Sequence, residues 1–245
     1  MKFSAPLLAT SLAAVLVGVI AQVANAANEQ YAVVRIPSHG ASATVIDTAQ
    51  GYSWILGCGH AYQGSSRNKP MVFDICRANQ GPPKQVGSKL VFLDYEADLS
   101  LVLLNDGPLE YVAPVAPRGF NPSGDNILSC GFDKMEFPMH QVPTTILSDE
   151  GGTWYTREKP WHGRSGGGLI DITKGQLIGT CQGYETPYSS PSRRGMYVDL
   201  ATIHNFLDRY RAKHNAQQNQ QQQPLQPIWQ PERQYFRPQP CPGGG

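Results

Sequence analysis

Between about residues 30 and 200 the chain is a succession of short apolar runs separated by clusters of Gly, Pro, Asn, Asp and Ser. The runs are Tyr31–Ile36, Ala43–Ile46, Tyr52–Leu56, Met71–Cys76, Lys89–Leu93, Leu99–Leu104, Asn126–Cys130, Thr144–Leu147, Leu169–Ile172 and Leu177–Cys181. They are rich in Val, Ile, Leu and Tyr, and no window between them has helical periodicity. Short apolar runs closed by turn residues predict β-strands. Without intervening helices they predict an antiparallel all-β sandwich or barrel, not alternating βα units. A span of about 170 residues is enough for a buried core, or for two small barrels packed together.

The pattern changes twice more. Leu200, Ile203, Phe206, Leu207 and Tyr210 recur at helical spacing behind Asp199, which predicts one C-terminal helix with an aspartate N-cap and a polar face carrying Asp208, Arg209 and Arg211. From about residue 215 to 245 the sequence becomes glutamine- and proline-rich, with too little apolar content to offset the entropy of ordering, and a disordered tail is expected. At the other end, residues 1–26 read as a secretory signal: Lys2, an apolar stretch from Leu7 to Ile20, and the small-x-small site Ala24-Asn25-Ala26. A secreted or periplasmic location follows, with residues 27–214 as the folded domain and no membrane span after cleavage.

Charge then narrows the partners. The 20 basic residues face 19 acidic ones, and losing Lys2 with the signal leaves them even. A balanced chain has no electrostatic case for nucleic acid or an anionic membrane. Of the five cysteines, Cys241 stands apart in the tail, and the other four allow three pairings that the sequence leaves open. Zinc from Cys58, His60 and Cys76 lacks a Cys-x-x-Cys spacing, so no metal or other cofactor is expected.

Three local patterns carry chemistry. Trp54-Ile55-Leu56-Gly57-Cys58-Gly59-His60 places an imidazole just past a strand end. Asp98 opens the apolar run Leu99–Leu104, where a partly buried carboxylate needs a partner. Gly163-Arg164-Ser165-Gly166-Gly167-Gly168 allows a tight turn that exposes a serine and aims successive N–H groups at one point. Each alone has an ordinary reading as a surface histidine, a turn aspartate or a glycine-rich loop. Together they supply a nucleophile, a base and the carboxylate that orients the base.

In this His, Asp, Ser order the chain resembles the trypsin-like (chymotrypsin-fold) serine proteases, above all the bacterial branch without a cleaved activation peptide. The resemblance runs from about Tyr31 to Tyr210 and rests on Gly59-His60-Ala61, Asp98-Leu99-Ser100-Leu101 and Gly163-x-Ser165-Gly166-Gly167, with Leu177–Gly183 resembling the strand that holds substrate backbone. It implies two packed six-stranded antiparallel β-barrels with a C-terminal helix. It implies hydrolysis of protein or peptide substrates through an acyl-enzyme, with His60 as general base, Asp98 as its orienter, Ser165 as nucleophile, and the N–H groups of Gly163 and Ser165 as the oxyanion hole. It puts Lys159 near the floor of the primary substrate pocket and Tyr184 on a wall, where a lysine favours an acidic side chain. The two-barrel picture suggests disulfides Cys58–Cys76 and Cys130–Cys181.

The departures from the family pattern are informative. Arg164 stands where zymogen-activated members carry an aspartate that pairs with a new N-terminus, and the expected mature start Ala27-Asn28-Glu29 lacks their Ile-Val. Gly168 replaces a common proline, and Gln182 sits where many members have a serine near the triad aspartate. Two rival readings remain. An α/β-hydrolase elbow fits Gly163–Gly167, but the only ordered partners, Asp199 and His204, share one helix. A protease-fold module that binds without cutting fits all the residues, and the tail suits attachment to the cell envelope in either case.

Overall fold

Residues 29–49, 51–64, 71–75, 84–104, 108–122, 124, 126–185 and 193–221 are described by the computed structural model. The first six strands are β1 (Val33–Ile36), β2 (Ala41–Asp47), β3 (Ser53–Cys58), β4 (Met71–Ile75), β5 (Lys84–Asp94) and β6 (Leu99–Leu104). They close into an antiparallel barrel in the order β1-β2-β3-β6-β5-β4. Six successive residues of β2, Ala41 to Ile46, are buried. Side chains alternate across a strand, so Ala43 and Val45 share one face of β2 while Ser42 and Thr44 share the other. A strand buried on both faces belongs where two layers meet.

The second half contributes β7 (Ile127–Gly131), β8 (His140–Thr144), β9 (Ile146–Glu150), β10 (Thr153–Thr156), β11 (Gly168–Asp171), β12 (Gln176–Tyr184) and β13 (Gly195–Val198). They form a seven-stranded antiparallel sheet in the order β8-β7-β11-β12-β13-β10-β9. Its two outer strands, β8 and β9, are separated in sequence by Thr145 alone. Counted as one bent strand, they pair with β7 at one end and β10 at the other. This is the expected six-strand count, with one strand broken at its bend. Ile127, Trp154, Leu169, Ile178, Tyr197 and Leu200 fill its core. The connecting segment touches both halves: Ala113 N–H donates to Val45 O and Ala116 N–H to Leu177 O, each at 2.9 Å.

The C-terminal helix α1 (Leu200–Gln221) starts as expected, with Asp199 Oδ1 accepting from the N–H of Thr202 at 2.7 Å. Leu200, Ile203, Phe206 and Leu207 are its buried stripe, and full burial of each large apolar side chain contributes about 1.5–3 kcal/mol. The helix runs past residue 214 into the glutamines, because nothing between Ala212 and Gln221 is a Pro or Gly that would stop it. The described residues up to Asp208 form one compact unit and those from Arg209 a second. The expected signal (1–26), Cys76 and the tail beyond Gln221 lie outside the described residues.

Three strands were not legible as apolar runs: β8 (His-Gln-Val-Pro-Thr) is mostly polar, and β10 (Thr-Trp-Tyr-Thr) and β13 (Gly-Met-Tyr-Val) are four residues each and bounded by glycine or loop. The expected Cys130–Cys181 disulfide is not there. Both are free, buried thiols. Cys130 lies on β7 and Cys181 on β12, and β11 pairs with both. Two inter-strand spacings of about 4.8 Å hold the backbones near 10 Å apart, beyond the roughly 4.4–6.8 Å between Cα atoms that a disulfide spans. Burial pushes the Cys130 thiol up to about 12 and raises Cys181 as well, so neither is a ready thiolate. Cys58, expected to pair with Cys76, is also a free buried thiol.

Candidate active site

The histidine and the aspartate meet because of strand register. β3 pairs with β6 so that Cys58 lies opposite Leu99, which carries Gly59 and His60 past the strand end alongside Asp98. Gly59 packs directly on that turn: a Cβ there would stand 3.0 Å from Asp94 O and 3.1 Å from Leu99 N. The turn is shaped by Asp94, whose Oδ1 accepts from the N–H groups of Glu96 and Ala97 at 2.9 and 3.1 Å. Asp98 itself has φ +52°, a left-handed conformation that Asp tolerates better than most residues.

Asp98 holds His60 at two points. The backbone N–H of His60 donates to Asp98 Oδ1 at 2.7 Å, and the ring Nδ1 lies 2.9 Å from both carboxylate oxygens. With the Nδ1 proton on the Asp98 side, Nε2 of the neutral ring is left as the acceptor. The carboxylate is mostly shielded while the imidazole is 44% exposed. The hydrogen bond to Asp98, with a smaller one to the Cys58 thiol, pushes the His60 pKa up from 6.5 to about 10.

Ser165 arrives from the other half of the molecule. Its carbonyl accepts from the N–H of Ser42 at 2.8 Å. Ser42 Oγ donates to Gly163 O at 2.8 Å and accepts from the N–H of Phe132 at 2.9 Å. The next residue, Gly166, sits at φ +84°, and a Cβ there would come within 2.2 Å of Ser42 O and 2.9 Å of Cys58 N. Only glycine fits, and the contact brings the Ser165 turn against the strand that ends at His60. The N–H groups of Gly163 and Ser165 donate to no acceptor among the described residues, whereas the Arg164 N–H between them donates to Trp161 O at 3.1 Å. The Ser165 hydroxyl is directed at Gln182 O, 3.5 Å away, and among the described residues no hydrogen bond joins it to His60.

The two pocket residues also meet. Lys159 Nζ lies 4.1 Å from the centre of the Tyr184 ring, and both side chains are partly buried. His162 Nε2 is 3.4 Å from Tyr184 OH. Trp161, 54% exposed, is flanked by Lys134 Nζ at 5.4 Å and Lys159 Nζ at 5.5 Å. The Gln182 amide oxygen accepts from Thr153 Oγ1 at 3.4 Å, so that side chain supports β10, not Asp98. Ser42, Lys134 and Trp161 are residues the sequence did not single out. Ser42 is one polar position in an alternating strand, and only the fold shows what it faces. No group of three or more His, Cys, Asp or Glu that could hold a metal ion occurs among the described residues, and no described helix is long and apolar enough to cross a membrane.

This architecture has known counterparts. The chain is similar to a serine-to-alanine mutant of Rv3671c from M. tuberculosis H37Rv in an inactive form (17% identity, TM-score 0.60, 82% of this chain and 93% of that one). It is also similar to the serine endoprotease from Yersinia pestis (20%, TM-score 0.58, 77% and 66%) and to the HtrA-type protease AlgW with tripeptide (21%, TM-score 0.56, 72% and 59%). The chain has the chymotrypsin fold. No protein-family model matches it, and no curated protein matches its sequence. The chain spans about two thirds of the Yersinia endoprotease and three fifths of AlgW.

The His60–Asp98 pair makes a pH prediction. A pKa raised above its ordinary 6.5 means the pair's contribution to stability is fully present below about pH 6.5 and is lost as pH rises through about 10. NMR titration of the His60 ring should give a midpoint well above 6.5, and Asp98→Asn should bring it back towards that value. A wild-type midpoint at or below 6.5 contradicts the pairing.

Proposed function

We propose that this chain is a serine endopeptidase, with His60, Asp98 and Ser165 as its catalytic triad. The observation that carries the reading is the two-point hold of Asp98 on His60 at the mouth of a chymotrypsin-type fold, with the Ser165 turn packed against the same strand. In the reaction, Ser165 Oγ turns from Gln182 O to His60 Nε2, gives up its proton and attacks the scissile carbonyl. Asp98 keeps the Nδ1 tautomer and stabilises the imidazolium. The N–H groups of Gly163 and Ser165 receive the developing oxyanion. His60 returns the proton to the leaving amine, and water then repeats the cycle on the acyl-enzyme.

Lys159 and Tyr184 line the primary substrate pocket in this reading. Lys134, Lys159 and His162 concentrate basic side chains around the turn that presents Ser165, and Trp161 and Tyr184 supply apolar faces between them. A pocket of that chemistry favours an acidic side chain before the cleaved bond. Export by residues 1–26 would place the enzyme in the periplasm or outside the cell, with the tail beyond the helix as a tether to the envelope.

One observation favours a second reading, a protease-fold module that binds without cutting: the Ser165 hydroxyl faces Gln182 O and makes no hydrogen bond to His60. A fluorophosphonate probe separates the two. The peptidase reading expects labelling at Ser165 that is absent in Ser165→Ala and slowed about 10³-fold or more in His60→Ala. The rate should climb through alkaline pH as His60 loses its proton. No labelling of the folded wild type would falsify the peptidase reading. For specificity, cleavage of a peptide library should enrich Asp or Glu before the cut, and Lys159→Ala should erase the enrichment. Enrichment of basic residues instead rules out the acidic pocket.

A further inference from the structure

Arg164 is a long charged side chain with 1% of its surface exposed, among the largest fully buried side chains in the protein. It immediately precedes Ser165, and its backbone is part of the turn that presents the nucleophile. Its guanidinium reaches into the second barrel, where Nε donates to Asp133 Oδ1 at 2.7 Å and Nη2 to Asp133 Oδ2. Nη1 donates to Glu158 Oε1 at 2.6 Å and to Ser129 Oγ at 2.8 Å, and Ser129 Oγ meets the buried Tyr197 hydroxyl at 2.5 Å. The fork on Asp133 is bidentate, the geometry that gives an arginine–carboxylate pair direction as well as strength.

The charges are built in at cost. Burial raises the pKa of Glu158, whose second oxygen, Oε2, has no hydrogen-bond partner. Burial also works against the Arg164 cation, and the hydrogen bond to Asp133 with the field of Glu158 more than restores it. A neutral core would be the simpler way to hold a fold together. What the ion cluster adds is direction. Asp133 follows β7 and Glu158 follows β10, so the side chain of Arg164 is tied to segments on two sides of the turn. Above it, Arg164 N–H is occupied by Trp161 O and Arg164 O by the N–H of Gly167 at 2.8 Å. The flanking N–H groups of Gly163 and Ser165 are the ones left without acceptors among the described residues.

We propose that Arg164 is a positioning residue: its buried pairing with Asp133 and Glu158 holds the Gly163–Ser165 turn in the form that presents two N–H groups and the Ser165 hydroxyl to a reacting carbonyl. The turn is thereby set by a side chain inside the fold. This rests on the peptidase reading, and acts through Ser165 without touching substrate.

The test uses the purified protein and a fluorophosphonate probe, with the maximal rate of Ser165 modification (kinact) separated from probe affinity (KI). Arg164→Met alone leaves two carboxylates buried without their cation, so its failure to fold would mislead. The triple variant Arg164→Met/Asp133→Asn/Glu158→Gln removes all three charges together. It should keep a cooperative thermal transition, hold KI within about threefold and lose about 10²-fold in kinact, the order of one lost oxyanion donor. Arg164→Lys keeps the charge without the fork and should fall between, with a kinact loss of about tenfold. Wild-type kinact in the folded triple variant, or in Arg164→Lys if the triple variant does not fold, overturns the positioning role and leaves the triad intact. An unlabelled wild type overturns the peptidase reading, and this inference with it.

Discussion

Ser42 donates its N–H to the carbonyl of Ser165 and its hydroxyl to the carbonyl of Gly163, so one serine on a first-barrel strand fixes the height of a turn that belongs to the second barrel. Gly166 makes that approach feasible, since any Cβ would collide with Ser42 O. The seam is polar on one face of β2 and apolar on the other, as strand alternation requires. The Ala43 and Val45 face is free to pack as core while Ser42 and Thr44 meet the neighbouring barrel. Loss of this contact would separate Ser165 from the strand that delivers His60, and the site would no longer exist as a unit.

The two sides of the site are stabilised by different physics. On the first barrel, a surface-accessible imidazole is held by a carboxylate whose own turn is shaped by Asp94. Its electrostatics respond to pH. On the second barrel, the ion cluster under Arg164 is out of solvent, and removing one partner from such a cluster typically costs about 3–5 kcal/mol because a charge is left buried and unpaired. In the triad reading, a titrating base held by Asp98 works with a nucleophile turn held by buried charges. That division suits general-base chemistry, in which the base changes charge in every cycle while the oxyanion donors must stay in place.

Much of this was legible in the sequence. Apolar runs closed by turn residues marked most of the strands and the all-β class, and the His60 and Asp98 contexts led to a hydrogen-bonded pair, with Ser165 on a turn packed against the strand that ends there. The helix start at Asp199 was equally clear. What escaped had physical reasons. Strands β10 and β13 are too short to show alternation. The glutamines were read as disordered because composition argues against a packed core, but local helix propensity extends α1 through them to Gln221. Arg164 was seen as a departure at a familiar position, but its partners Asp133 and Glu158 are ordinary charged residues until the fold brings them inside. The pairing of Cys130 with Cys181 failed because sequence shows which strands carry the thiols, not which strand lies between them.

A crystal structure of the protein after reaction with a fluorophosphonate would show whether the turn and the imidazole form one hydrolytic site. The expected adduct carries a phosphonyl group on Ser165 Oγ, with its phosphoryl oxygen accepting from the N–H groups of Gly163 and Ser165 and His60 Nε2 facing the former position of the Ser165 proton. An adduct whose phosphoryl oxygen lies away from both N–H groups, or modification of a residue other than Ser165, would contradict it.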